Sequence, residues 1–172
     1  MSRLSTSIMA IGLALTGVGL AGAAPADAKD FSLETYFTGK TSAVGSFGAI
    51  NGVKRTFDVA LKGKWDGHLL VLTEDFTYAD GERDRKTWRF RKIGAHQYRG
   101  TREDVVGDTL VTITGDTARF TYLVDLDPGL AENIVRFHDT MRLSDDGALV
   151  NTAWVTKYGF PVARTRVTFQ RP

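Results

Sequence analysis

From about Thr41 to the end of the chain, apolar side chains recur at every second position, and turn residues interrupt them roughly every ten residues. A period of two marks half-buried β-strands, and turns at that spacing point to an all-β barrel or sandwich. The turns also set the register. Ile50-Asn51-Gly52-Val53 and Trp65-Asp66-Gly67-His68 read as hairpins with two-residue type I′ loops, across which the inward parity must switch. It does so at the second: Phe57, Val59, Leu61 and Trp65 are apolar at odd positions, and Leu70, Leu72, Phe76 and Tyr78 at even ones. The expected pairs are Leu61 with Leu72, Val59 with Glu74 and Phe57 with Phe76.

A two-residue loop at Asp80-Gly81 would turn Trp88 and Phe90 onto the wrong face. A three-residue loop, Ala79-Asp80-Gly81, keeps parity and places Leu72 opposite Trp88, Leu70 opposite Phe90 and Glu74 opposite Lys86. Arg83, Arg85, Arg89 and Arg91 then point outward with Thr73, Asp75 and Thr77. The same rule applied to Asp145-Asp146-Gly147 sets Phe137, Asp139, Met141 and Leu143 against Leu149, Asn151, Ala153, Val155 and Lys157. Between these hairpins, Val111 and Ile113 pair through Gly115-Asp116 with Phe120 and Ala118. The last strand turns Ala163, Thr165, Val167 and Phe169 inward.

The pattern predicts about nine or ten antiparallel strands in sequence-adjacent order, an up-and-down barrel rather than a Greek-key sandwich. Helical signals are weak. Ser32 caps one short turn through Phe37, and Asp127-Pro128 starts another through Asn133.

The N-terminus departs from this pattern. Arg3, an apolar run from Ile8 to Leu20, and Ala26-Asp27-Ala28 have the layout of a secretory signal peptide over residues 1–28. The single barrel domain is then residues 29–172, or 172 − 28 = 144 residues. The expected location is periplasmic or secreted. The chain has no cysteine, which excludes disulfides, thiolate metal sites and a lipoprotein acyl anchor. Its net charge is +2 with both signs interspersed, too small a bias to point to nucleic acid.

Candidate chemistry lies in polar residues on inward positions: Glu74 opposite Lys86, Asp139 and Asn151 with Lys157 on one face, and Arg55 opposite Gly48. Two readings stand side by side. These groups satisfy one another and fix the register, or they anchor a small ligand in an apolar interior. His68, His96 and His138 lack metal-ligand spacing, so no metal or cofactor is expected. His138 and Asp139 are adjacent in one strand and face opposite ways. The outward arginines form a basic stripe, read either as a solvated face or as a surface for an anionic membrane.

The motifs LETYFTG (Leu33–Gly39), VGSF (Val44–Phe47), RTFDVALKGKWDG (Arg55–Gly67) and LTEDFTYADGE (Leu72–Glu82) come in a definite order. Trp88, DVVGD (Asp104–Asp108), HDTM (His138–Met141) and NTAWVTKYG (Asn151–Gly159) complete the series. Together they resemble an uncharacterised bacterial family of envelope proteins, commonly lipoproteins, known only as a domain of unknown function. The resemblance implies a calycin or lipocalin-like barrel, an envelope location and a fatty-acyl or similar lipid ligand. The chain departs from the family pattern in lacking the lipoprotein cysteine and in carrying Thr140 between Asp139 and Met141.

The leading expectation is therefore a secreted barrel that holds a small hydrophobic or amphipathic molecule. Leu61, Leu70, Leu72, Phe76, Trp88, Phe120 and Val155 are expected to line its interior, with Lys86, Lys157 or Arg55 on an acidic head group. The second is an envelope interaction module with a barrel filled by its own side chains. The third is an enzyme with Glu74 or Asp139 as general acid or base, which lacks an adjacent nucleophile or metal.

Overall fold

A computed structural model describes residues 31–127 and 133–172. The alternating segments become β1 (Gly39–Ala49), β2 (Lys54–Trp65), β3 (Leu69–Tyr78), β4 (Arg83–Gly94), β5 (Gln97–Thr101), β6 (Val105–Val106) and β7 (Thr109–Thr114). They continue as β8 (Thr117–Asp125), β9 (Ile134–Leu143), β10 (Leu149–Lys157) and β11 (Phe160–Gln170). Each strand pairs antiparallel with the next around a ring that β1–β11 and β8–β9 close. The two-residue β6 stands apart from the ring. It pairs with β8 at Leu123 and Val124, beyond the start of β7, leaving ten strands in an up-and-down barrel without a free edge.

The three-residue loops expected at Ala79–Gly81 and Asp145–Gly147 are present with the expected pairs, including Leu72↔Trp88, Glu74↔Lys86 and Leu149↔Leu143. Ile113 pairs with Ala118 as expected. Two other hairpins differ. Ala49 N donates to Val53 O at 2.8 Å, so Ile50-Asn51-Gly52 forms a three-residue loop, with Gly52 at φ +89°. Parity is kept across it, and Arg55 stands opposite Phe47 rather than Gly48. In the next hairpin, Asp66 Oδ1 accepts from His68 N and Leu69 N at 2.8 and 2.7 Å. That Asx turn holds Asp66 at the end of the ladder and moves the tight turn to Gly67-His68. The register slides by two residues, to Leu61↔Glu74, Val59↔Phe76 and Phe57↔Tyr78. A slide of two leaves every side chain on its expected face.

Residues 33–37 form α1 (Leu33–Phe37), which stoppers one end of the barrel. Ser32 caps it, accepting from Thr35 N at 3.2 Å. The second expected helical turn falls largely on residues 128–132, outside the described residues. The carbonyl of Phe37 lies so close over Gly63 that a Cβ there would sit 1.9 Å from it, so only glycine lets the plug reach β2. Tyr36 donates to Phe169 O at 3.0 Å. Glu34 accepts from Lys92 Nζ and Tyr98 Oη, each at 2.5 Å. Leu70, Tyr98, Val111 and Leu149 are fully buried and belong to the same core as Leu33 and Phe37. Among the described residues no helix covers the opposite end, which carries the β1–β2, β3–β4 and β10–β11 turns.

Candidate functional site

Above the plug the barrel encloses a cavity of about 520 Å³. Leu33 and Phe37 form its floor. Its walls are mostly aromatic: Trp88 meets Tyr122 edge-on at 5.2 Å, Phe137 stacks on Tyr122 at 5.4 Å, and Phe57 packs near Phe76 and Tyr78 at 5.6 Å each. The Phe57 ring lies over Gly45 of β1, where an added Cβ would be 2.3 Å from a ring carbon. The missing side chain at residue 45 thus gives Phe57 its place in the wall.

Glu74 and Lys86 are cross-strand neighbours, yet their side chains do not pair. Lys86 Nζ sits 3.2 Å from both Asp84 and Asp104. Burial works against its charge, but Asp104 and Asp84 outweigh that effect and raise its pKa. Asp104 also receives Arg102, Nε to Oδ1 at 2.6 Å and Nη2 to Oδ2 at 3.2 Å. The Arg102 guanidinium lies 4.7 Å from the Trp88 ring centre and 5.7 Å from that of Tyr122. Glu74 is buried and, among the described residues, belongs to no ion pair. Burial pushes its carboxyl up to about 7. Arg102 offsets part of that rise, while Glu103, Asp104 and Asp139 add to it.

Asp139 of β9 and Asn151 of β10 face the cavity from the other side. Asn151 Nδ2 donates to Asp139 Oδ1 at 2.5 Å. Asp139 Oδ2 and Asn151 Oδ1 are buried with no hydrogen-bond partner. Burial pushes the Asp139 carboxyl up to about 6, against the lowering effects of Asn151, Tyr122 and Arg102. Two acids that titrate near neutrality could exchange protons with a bound molecule. The lining has no serine or cysteine among the described residues.

Nine of the ten residues singled out from the sequence line this one cavity: Arg55, Leu72, Glu74, Phe76, Lys86, Trp88, Phe120, Asp139 and Asn151. Lys157 does not. A register irregularity after Val155 precedes it, and its Nζ lies 5.7 Å from the ring centre of Tyr158 at the rim. Leu61, Leu70 and Val155 are buried in the core but are not among the lining residues. Arg55 is held at the mouth by Asp80 at 2.9 Å and Glu82 at 2.6 Å, with its guanidinium 3.8 Å from the Tyr78 ring centre. Arg102, Asp104 and Tyr122 were not expected. Tyr122 shares the parity of Phe120 and was within reach of the alternation. Arg102 and Asp104 sit in a turn, closed by Val105 N to Arg102 O at 3.0 Å, where alternation says nothing.

A closed meander with one stoppered end and an aromatic cavity is a lipocalin-like barrel. The chain belongs to the DUF3833 family of proteins of unknown function, whose profile matches residues 16–171. No curated protein matches it. Among solved structures it is similar to Rv2717c from M. tuberculosis, with TM-score 0.61 and 16% identity over 80% of this chain and 94% of that one. It is also similar to the S-type phycobiliprotein lyase CPES from Guillardia theta, with TM-score 0.57 and 10% identity over 83% of this chain and 93% of that one. At these identities the likeness is one of fold.

Proposed function

We propose that the protein is an exported carrier that holds a small, largely apolar molecule inside its barrel. The observation that carries this reading is the cavity of about 520 Å³ with its aromatic walls and apolar floor. A barrel filled by its own side chains would leave space for a few waters at about 30 Å³ each. Native mass spectrometry of protein purified from its own host tests the reading. A reproducible co-purifying small molecule, displaced when Gly45→Leu crowds the Phe57 wall, is the expected result. Apoprotein alone, unable to take up any apolar probe, would overturn it.

Export is supported by the Ile8–Leu20 apolar run followed by Ala26-Asp27-Ala28. The intact mass of protein recovered from the periplasm should begin at Lys29; retention of residues 1–28 would refute cleavage there.

A separate surface supports an anionic membrane as a partner. The β1–β2 and β10–β11 turns lie side by side, joined by Ile50 N to Val162 O at 2.9 Å, and expose Ile50 (79%), Tyr158 (81%) and Phe160 (72%). Lys54, Lys157 and Arg164 surround them and form no ion pair among the described residues. Trp154, half-exposed below this rim, has the Arg164 guanidinium 5.3 Å from its ring centre. Apolar tips with unpaired cations around them suit an anionic lipid surface. The β4 stripe suits it less well, because Arg85 is paired with Asp75 at 2.5 Å and no apolar tip as exposed as Ile50, Tyr158 or Phe160 stands beside it. The chain from Lys29 should sediment with phosphatidylglycerol-containing vesicles and not with pure phosphatidylcholine. The triple change Ile50→Ser, Tyr158→Ser, Phe160→Ser should abolish this; undiminished sedimentation of the triple variant would exclude the rim.

A further inference from the structure

We propose that the molecule held in the barrel presents a hydrogen-bond donor, such as a hydroxyl or amine, to Asp139 and Asn151, and that an acidic head group is rejected there. This inference rests on the reading that a ligand binds inside.

The argument begins from valence. Buried acceptors in folded proteins are almost always paired. The Asp139–Asn151 contact uses the one amide donor that reaches the carboxylate and leaves Asp139 Oδ2 and Asn151 Oδ1 over. The Tyr122 hydroxyl lies close enough to Asp139 to lower its pKa as a hydrogen-bond donor, but it does not reach hydrogen-bond geometry at Oδ2, which stays without a partner. Turning the Asn151 amide over would set oxygen against oxygen at 2.5 Å from an ionised carboxylate, so the observed orientation is the favourable one. Both unpaired oxygens belong to residues of the cavity wall. A third buried oxygen without a partner, Thr41 Oγ1, belongs to a residue outside that wall.

Charge leads to the same conclusion. The cavity is lined by six carboxylic side chains (Glu74, Glu82, Asp84, Asp104, Asp125 and Asp139) against three cations, Arg55, Lys86 and Arg102. Each of the three cations is already engaged. Arg55 is bound to Asp80 and Glu82, Lys86 to Asp84 and Asp104, and Arg102 to Asp104. An incoming carboxylate or phosphate would meet the Asp139 carboxylate on one wall and committed cations on the other. An incoming O–H or N–H would satisfy acceptors that nothing else satisfies.

The test uses the chain from Lys29 at pH 7.5, where Asp139 is ionised. N-Phenyl-1-naphthylamine reports occupancy by its fluorescence. It is displaced by three molecules with the same ten-carbon body: 1-decanol, decyl methyl ether and decanoate. The ether is neutral and accepts only, so it separates donor recognition from hydrophobicity. Decanol should displace the probe at about ten-fold lower concentration than the ether, and decanoate should be weaker than decanol. The alcohol-to-ether ratio should fall towards one in Asn151→Leu and in Asp139→Leu; either variant that folds suffices. An ether as effective as the alcohol, or decanoate as the strongest of the three, would overturn the donor inference and leave interior binding standing. No probe fluorescence and no displacement by any of the three would overturn interior binding itself, and the donor inference with it.

Discussion

The two ends of the barrel handle buried polar groups in opposite ways. At the stoppered end, Glu34 is met by Lys92 and Tyr98 at 2.5 Å each, and Tyr36 donates to Phe169 O. Burial alone would raise the Glu34 carboxyl, yet the hydrogen bonds from Lys92 and Tyr98 hold it below the usual range. In the cavity, Glu74 is pushed up to about 7, and Asp139 and Asn151 each keep an unpaired buried oxygen. Two glutamates in one small barrel thus titrate in opposite directions. One end is built to close the barrel, and the other keeps polar groups in a costly state that a ligand could relieve.

The largest effect should come from opening the stoppered end. Phe37→Ala removes a fully buried ring from the floor and should cost about 3–5 kcal/mol in urea unfolding. A loss under about 1 kcal/mol would mean that α1 is only laid against the barrel.

The next test reverses the sign. Glu74 has a folded pKa above its ordinary value of 4.5, so its destabilising charge is absent below about pH 4.5 and fully present above about pH 7. The protein should therefore lose stability as pH rises from 5 to 8. Glu74→Gln should be more stable than wild type at pH 8, by up to about 3 kcal/mol, and should flatten that dependence. A Tm that is unchanged between pH 5 and 8 in wild type would refute this account of Glu74.

Glu34→Gln should do the opposite. Its folded pKa is lowered, so its contribution is present above its ordinary pKa of 4.5 and lost as pH falls through the lower folded value. The substitution should cost about 1–3 kcal/mol at pH 7 and progressively less as pH falls below 4.5, read by chemical denaturation across that range. Stabilisation by both Gln substitutions at pH 7 would erase the contrast between the two ends. The smallest effect belongs to the outer wall. Arg85→Ala breaks an exposed pair with Asp75 and should leave the urea unfolding midpoint essentially unchanged.

Much of this was legible in the chain because a strand has only two faces. Parity alone put Glu74, Lys86, Trp88, Asp139 and Asn151 inside, and the three-residue loop at Ala79–Gly81 followed from requiring Trp88 and Phe90 to be buried. The β2–β3 pairing was set two residues off, since an Asp-Gly pair does not reveal whether the aspartate ends the strand or forms the turn. Here Asp66 Oδ1 decides it by binding two backbone amides. Lys157 was placed inside because alternation was extended past Val155, where the ladder shifts.

What sequence by itself determined is the face of each strand residue, because a period of two is a local property of the backbone. It favoured a meander of sequence-adjacent strands too, since short turns leave antiparallel neighbours little choice, whereas the closure through β1–β11 and β8–β9 is a tertiary fact. What only the tertiary structure decided is which inward groups meet. Inside a barrel, side chains from distant strands and turns converge on one space. Lys86 therefore turned from its ladder neighbour Glu74 to Asp84 and to Asp104, which comes from the turn after β5. Glu74 was left without an ion pair among the described residues, and Asp139 with Asn151 was left with two open acceptors. No local rule of spacing contains those distances, because they depend on how the ring closes.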